Sequence, residues 1–252
     1  MATLLWKEFT EAWRSYRLLI LAAVLLAAGM LGPLSAKYLP QLLARMADVP
    51  EALAELMPQP DKAMAVGEYV DNLVQFGAIL AILMPMAAVV GEKAGGTAEF
   101  TLSKPVRRSS FLLAKFAAHA TSFTVAVLAA ALGGYYYTGL LFEWLPAANF
   151  LAANALVLLY LLVLVGLTLL SSTLARSQLA AAGVAFGALL AMRLLGAIPN
   201  LGRHLPAALI GWARALALSA PAEPAWSALA LSLAVIGSAL ASAWLIFRCQ
   251  EL

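Results

Sequence analysis

Charge is scarce in this chain, and so are most of the groups that carry chemistry. Asp, Glu, Lys and Arg make up 12% of its residues, about half the share found in soluble globular domains. Cysteine occurs once, at Cys249, which excludes an internal disulfide and a cysteine cage for metal. No phosphate loop of the form GxxxxGK[ST] is present, so the chain does not itself cradle nucleotide phosphates in the usual way. HExxH, GxSxG and paired metal-ligand motifs are missing too, which removes the common hydrolase constellations.

What fills the space is apolar. Hydrophobic residues reach 63% and the mean hydropathy is +0.89, values that imply an all-α polytopic membrane protein forming a single transmembrane domain over 1–252. The net charge of +3 does not point to nucleic acid, because the basic residues gather at the ends of apolar segments, where membrane topology puts them. Residues 1–17 read as an amphipathic helix lying in the interface: Trp6, Phe9, Trp13 and Tyr16 recur at spacings of three and four, with Lys7, Glu11 and Arg14 on other faces. Six spans follow, at about 18–36, 72–91, 116–142, 147–174, 178–199 and 225–247. Residues 37–71, divided by Pro40, Pro50, Pro58 and Pro60, read as an external helical loop of two small amphipathic helices. Residues 201–224, with Leu205, Leu209, Trp212 and Leu216 at helical spacing, read as an external or re-entrant segment.

Orientation follows from the basic residues. Ten of the sixteen fall on the side of both termini in this arrangement and five on the other, Arg193 being assigned to the fifth span. The excess places both termini in the cytoplasm, with membrane lipids as the surrounding partner. The densest group lies in 92–115, where Lys93, Lys104, Arg107, Arg108 and Lys115 face only Glu92 and Glu99. Residues 92–104 are expected to form a short helix there, with Gly95 and Gly96 allowing close backbone approach and Pro105 ending it. Glu92 and Gly96 are expected on its surface.

The run GEKAGGTAEFTLSKPVRRSSFLLAK, residues 91–115, resembles the segment after the second span in permeases of type 2 ATP-binding-cassette exporters. The matching positions are Glu92, Gly96, Thr97, Leu102, Ser103, Pro105, Arg108 and Lys115. The resemblance implies a permease subunit that is not itself an enzyme and an ATPase-coupling set of Glu92, Gly95, Gly96, Thr97, Phe100, Leu102, Pro105 and Arg108. It also implies two copies of a separate ATPase that hold ATP and Mg, with no cofactor in this chain. A second permease copy, meeting this one through the first and fifth spans, and a location in the bacterial plasma membrane complete the picture.

Two ionisable residues within the spans are candidates for a substrate path. His119 lies one turn into the third span beside Thr121, Ser122 and Thr124; with no acidic partner inside any span, it suits a polar contact between helices better than a proton relay. Arg193 follows a long uncharged run and either snorkels to headgroups or meets an anionic head group. Apolar spans without acids favour export of a hydrophobic or amphipathic substrate. The alternatives are a secondary transporter, which wants midplane charges or broken helices at repeated positions, and an intramembrane hydrolase, which wants a serine with a base in reach.

Overall fold

The computed structural model describes residues 2–46, 59–97, 103 and 107–250, and all regular structure among them is helical. Helix α1 (Ala2–Arg14) turns at Tyr16, whose φ is 58°, into α2 (Arg17–Met46). Then come α3 (Lys62–Leu83), the short α4 (Val90–Ala94), α5 (Arg108–Leu141), α6 (Ala147–Leu174) and α7 (Gln178–Gly196). A 3-10 turn at Gly202–His204 leads to α8 (Ala208–Ala217) and the closing helix α9 (Trp226–Cys249). Among the described residues six helices, α2, α3, α5, α6, α7 and α9, are long and apolar enough to cross a membrane. Uncharged Ala/Leu-rich runs form such helices because a helix satisfies its backbone groups internally where no water can.

Helix α6 sits at the centre, packed on α3, α5, α7, α8 and α9. Helix α2 lies along both α3 and α5. Its approach to α3 depends on Gly32, where a Cβ would come within 2.5 Å of the Tyr69 Cα, so a small residue sets the interhelical distance. The shared core contains Tyr69, Leu73, Phe123, Phe150 and Tyr160. Inside it the Tyr69 hydroxyl donates to Asn154 Oδ1 at 2.5 Å, and Asn154 Nδ2 donates to the Phe150 carbonyl at 2.9 Å. Helices α7 and α9 are peripheral, each with 22% of its apolar stretch buried, against 61% for α6.

Helix bounds differ from the hydropathy reading where packing against protein replaces contact with lipid. Helix α2 continues through Pro33 and Pro40 to Met46, so Pro40 does not divide the loop. Ala36 is fully buried there and Lys37 Nζ donates to the Leu141 carbonyl at 2.6 Å, contacts that hold the helix on course past a residue that ordinarily kinks it. Helix α3 starts at Lys62 rather than 72 because Asp61 caps it, accepting from the Met64 N–H at 2.7 Å. It stops at Leu83, two residues before Pro85. The expected helices of the 37–71 loop otherwise fall on 47–58, outside the described residues. In 201–224 the longer regular part is α8, which lies on α6 and α3 with Leu209, Ala213 and Ala217 buried at every fourth position. Arg214 pairs there with Asp71, and Asn149 Nδ2 donates to Ser219 Oγ at 2.9 Å.

Candidate functional site

The loop singled out by its charge begins at a bend. Pro85 brings no N–H, and the turn of 84–89 leaves the amides of Val89 and Val90 without helical acceptors. Ser172 on α6 takes both, at 3.1 and 3.2 Å, and donates its own hydrogen to the Met86 carbonyl at 2.8 Å. A single buried hydroxyl thus fixes the direction in which α4 leaves α3.

Two basic residues of the loop are directed at helix ends. Lys93 Nζ donates to the Thr173 carbonyl at 2.9 Å and to Gln250 Oε1 at 3.1 Å. Burial lowers the Lys93 pKa below the ordinary lysine value. Arg108 Nη1 donates to the carbonyls of Phe247, Arg248 and Gln250 at 2.6, 3.1 and 2.9 Å. The last carbonyls of a helix have no intrahelical donor and bear the negative end of its dipole, so Lys93 closes α6 and Arg108 closes α9. Phe111 and Phe247 stack beside Arg108 with ring centroids 5.5 Å apart.

The third anchor is ionic. Lys115, two turns into α5 and with a side chain only 3% exposed, lies 2.7 Å from Glu92 and 3.1 Å from Glu8 of α1. Lys7 lies 3.0 Å from the same Glu92 oxygen and 3.4 Å from Glu8. Burial pushes the Glu92 carboxyl up, and the charge and hydrogen bond of Lys115, with those of Lys7, draw it below the ordinary carboxylate value. For Lys7 burial acts downward, yet its bonds to Glu92 and Glu8 leave its pKa above the ordinary lysine value. Glu8, Glu11 and Glu92 bring carboxylate oxygens within 4.8 Å of one another, but Lys7 and Lys115 pair with Glu8 and Glu92 and Arg17 pairs with Glu11, so the group is not built as a metal cage.

A cavity of about 290 Å³ opens beside this cluster. Glu8, Glu92 and Lys115 line one part, His119 and Ser122 continue one and two turns deeper along α5, and Leu21 and Met84 supply an apolar wall. Gln178, at the start of α7, also reaches it.

The sequence candidates are therefore sorted by the fold. Glu92 does not face outward: its side chain is 14% exposed and held in the ion cluster, because the bend at Pro85 turns it toward α1 and α5. Gly95, Gly96 and Thr97 are exposed, and Gly96 has a φ of 68°, a conformation glycine adopts without strain. Thr97 Oγ1 donates back to the Glu92 carbonyl at 3.3 Å. Phe100, Leu102 and Pro105 lie outside the described residues. Arg108 is committed to the α9 terminus. His119 lines the cavity, whereas Arg193 does not: it lies in the last turn of α7, beside the Tyr160 hydroxyl. Fifteen residues of helix separate Arg193 from Gln178, about 22 Å, so the two residues proposed for one substrate path stand far apart. Lys7, Glu8 and Ser172 are the participants that sequence reasoning missed. A lysine at the head of a long uncharged helix demands a partner, and that was the available signal for Lys115; nothing in the spacing identifies Glu8 as the partner.

A family model described as ABC-2 family transporter protein matches residues 2–225. The chain is also 26% identical over 156 residues to the uncharacterized transmembrane protein YxlG of Bacillus subtilis (strain 168). That match spans 61% of this chain and 59% of the relative.

Proposed function

This chain belongs to the ABC-2 transporter family as a six-span, non-catalytic permease subunit, and from that premise we propose that its 92–108 loop is the docking surface for a cognate ATPase. The observation that carries the reading is the anchoring of the loop. Ser172 holds its entry, Lys93 and Arg108 tie it to the ends of α6 and α9, and Glu92 ties it to α1 and α5. Gly95, Gly96 and Thr97 are left outward. A loop whose two ends are so fixed transmits a push instead of absorbing it. In the arrangement we propose, both termini and this loop lie in the cytoplasm, two ATPase copies serve two permeases, and nucleotide-driven closure of the ATPases moves the helices that frame the loop.

The exported substrate in this reading is hydrophobic or amphipathic. The spans supply apolar walls, and the cavity beside Lys115 joins a polar mouth to an apolar side. Arg193, at the other end of α7, meets the anionic head at the far interface in this reading.

Docking is tested by Gly96→Val in the permease co-purified with its ATPase. A β-branched residue at a φ of 68° costs about 1–2 kcal/mol and reshapes the outward face without touching the packed spans, since nothing lies within 4 Å of a Cβ at that position. Capture of the ATPase is expected to weaken about tenfold while membrane insertion stays normal. Full capture together with unchanged ATP hydrolysis by the complex would show that the loop does not dock.

A further inference from the structure

Four charges at the loop end form a closed ring. Its sides are Lys7–Glu8 at 3.4 Å, Glu8–Lys115 at 3.1 Å, Lys115–Glu92 at 2.7 Å and Glu92–Lys7 at 3.0 Å. Signs alternate around it, so each member meets two opposite charges and no like charges are adjacent. Two corners belong to α1, one to α4 and one to α5. The backbone of α1 packs along α5 and α2, and Trp6 and Trp13 are 74% and 69% exposed. Side-chain charge links α1 to α4, directly through Lys7 and indirectly through Glu8 and Lys115.

We propose that Lys7 and Glu8 are positioning residues of the coupling step, joining the interfacial helix to the docking loop so that the two move as one body. Resting on the docking assignment above, this adds α1 to the moving parts and gives the movement a consequence. Glu8, Glu92 and Lys115 line one part of the cavity, so a displacement of α4 that carries α1 with it shifts that part of the wall against the rest. Lys115 is the fixed corner. Its ammonium is buried on a long, packed helix, and separating it from both carboxylates would leave an uncompensated charge away from water. The ring therefore pivots on Lys115, carrying α1 with α4 relative to α5, in preference to opening.

The test uses the full permease reconstituted in nanodiscs with its cognate ATPase, in a Cys249→Ser background. Spin labels at Arg14→Cys on α1 and Leu132→Cys on α5 report the movement of α1 with and without ATP. Lys7→Met/Glu8→Gln detaches α1 from the ring while leaving the Lys115–Glu92 pair in place. ATPase capture is expected to stay at the wild-type level, the ATP-dependent change in the label distance to disappear, and permease-dependent ATP hydrolysis to fall about tenfold. Lys7→Arg/Glu8→Asp, which keeps the charges, is expected to restore all three; Lys7→Glu/Glu8→Lys, which sets like charges side by side, is expected to behave as the uncoupled variant. A distance change that persists in Lys7→Met/Glu8→Gln overturns the proposal, and so does loss of ATPase capture, which would make the ring part of the docking contact itself. Failure of the unmodified permease to capture ATPase would appear in the wild-type arm, and would sink the docking assignment together with what is built on it. Should the double variant not insert, Lys7→Met alone removes the direct α1–α4 bond and is expected to give a partial loss of the same distance change; an unaltered change overturns the proposal equally.

Discussion

Glu92 is held by opposing effects whose balance can be titrated. Burial alone would raise its pKa, and Lys115 with Lys7 more than reverses this. A carboxyl whose folded pKa lies below its unfolded value stabilises the fold fully above the unfolded value and loses that contribution as pH falls through the folded one. The unfolded reference is 4.5, so the stability that Glu92 confers is expected to stay level from neutral pH down to about 5 and to decline only below that. Thermal unfolding of the detergent-solubilised chain against Glu92→Gln, followed from pH 8 to 3, measures it. The gap in melting temperature between the two proteins should be constant through the neutral range and narrow in acid. A gap that already narrows between pH 7 and 5 would mean that burial, not the lysines, governs this group.

At the scale of the element, the informative features are the places where a helix stops. Pro85 breaks the path from α3 to α4, and Ser172 repairs it by serving two amides and one carbonyl. Ser172→Ala strands those buried groups, at a cost of about 1–3 kcal/mol. The expected outcome is a lower melting temperature together with a proteolytically looser 84–97 segment, read by limited digestion and mass spectrometry. An unchanged digestion pattern would show that the bend is held without Ser172. Helix α7 poses the converse problem, a helix with little protein against it. Gly183 and Gly187 present open space where a Cβ would go, one turn apart on an exposed face, a pattern suited to close packing on another membrane helix. If a second permease copy covers that face, as proposed from the resemblance to two-permease exporters, Gly187→Ile should leave the monomer's stability untouched and cut dimer cross-linking in native membranes several-fold. Equal cross-linking in the variant would remove α7 from the interface.

For the whole molecule the open question is direction, and the chain carries its own reporter. Cys249 is the sole cysteine and is exposed at the end of α9, on the same side as Lys93 and Arg108, which contact Gln250. With both termini in the cytoplasm, a membrane-impermeant maleimide should label Cys249 only after cells are permeabilised, whereas Ala222→Cys in a Cys249→Ser background should react in intact cells. The reversed pattern would invert the orientation and place the loop out of reach of any ATPase. Long helices bear on the same question. Helix α5, with 34 residues, extends about 51 Å, well beyond the roughly 30 Å of a hydrocarbon core, so its ends stand in water, where Arg108 and Leu141 meet other helices through charged side chains.

By itself the sequence determined that this is a bundle of membrane-crossing helices with a basic loop after the second, because scarcity of charge over membrane-length runs leaves the backbone no other way to satisfy its hydrogen bonds. It also carried the family resemblance, since the matching residues lie in one contiguous stretch of 91–115. Only the tertiary structure decided what those residues touch. Arg108 and Phe247 are far apart in sequence yet adjacent in space, as are Glu8 and Lys115, and no periodicity along one helix encodes which helix end or which carboxylate a long cationic side chain will find. The same holds for the helix bounds: Pro40 and Asp71 look like loop residues to any count of hydropathy, and they lie in helices because α2 and α3 bury their other faces on each other. Pattern along a chain reports how each segment meets lipid and water; partnership between segments is fixed by three-dimensional packing, which brings together charges that burial then forbids to separate.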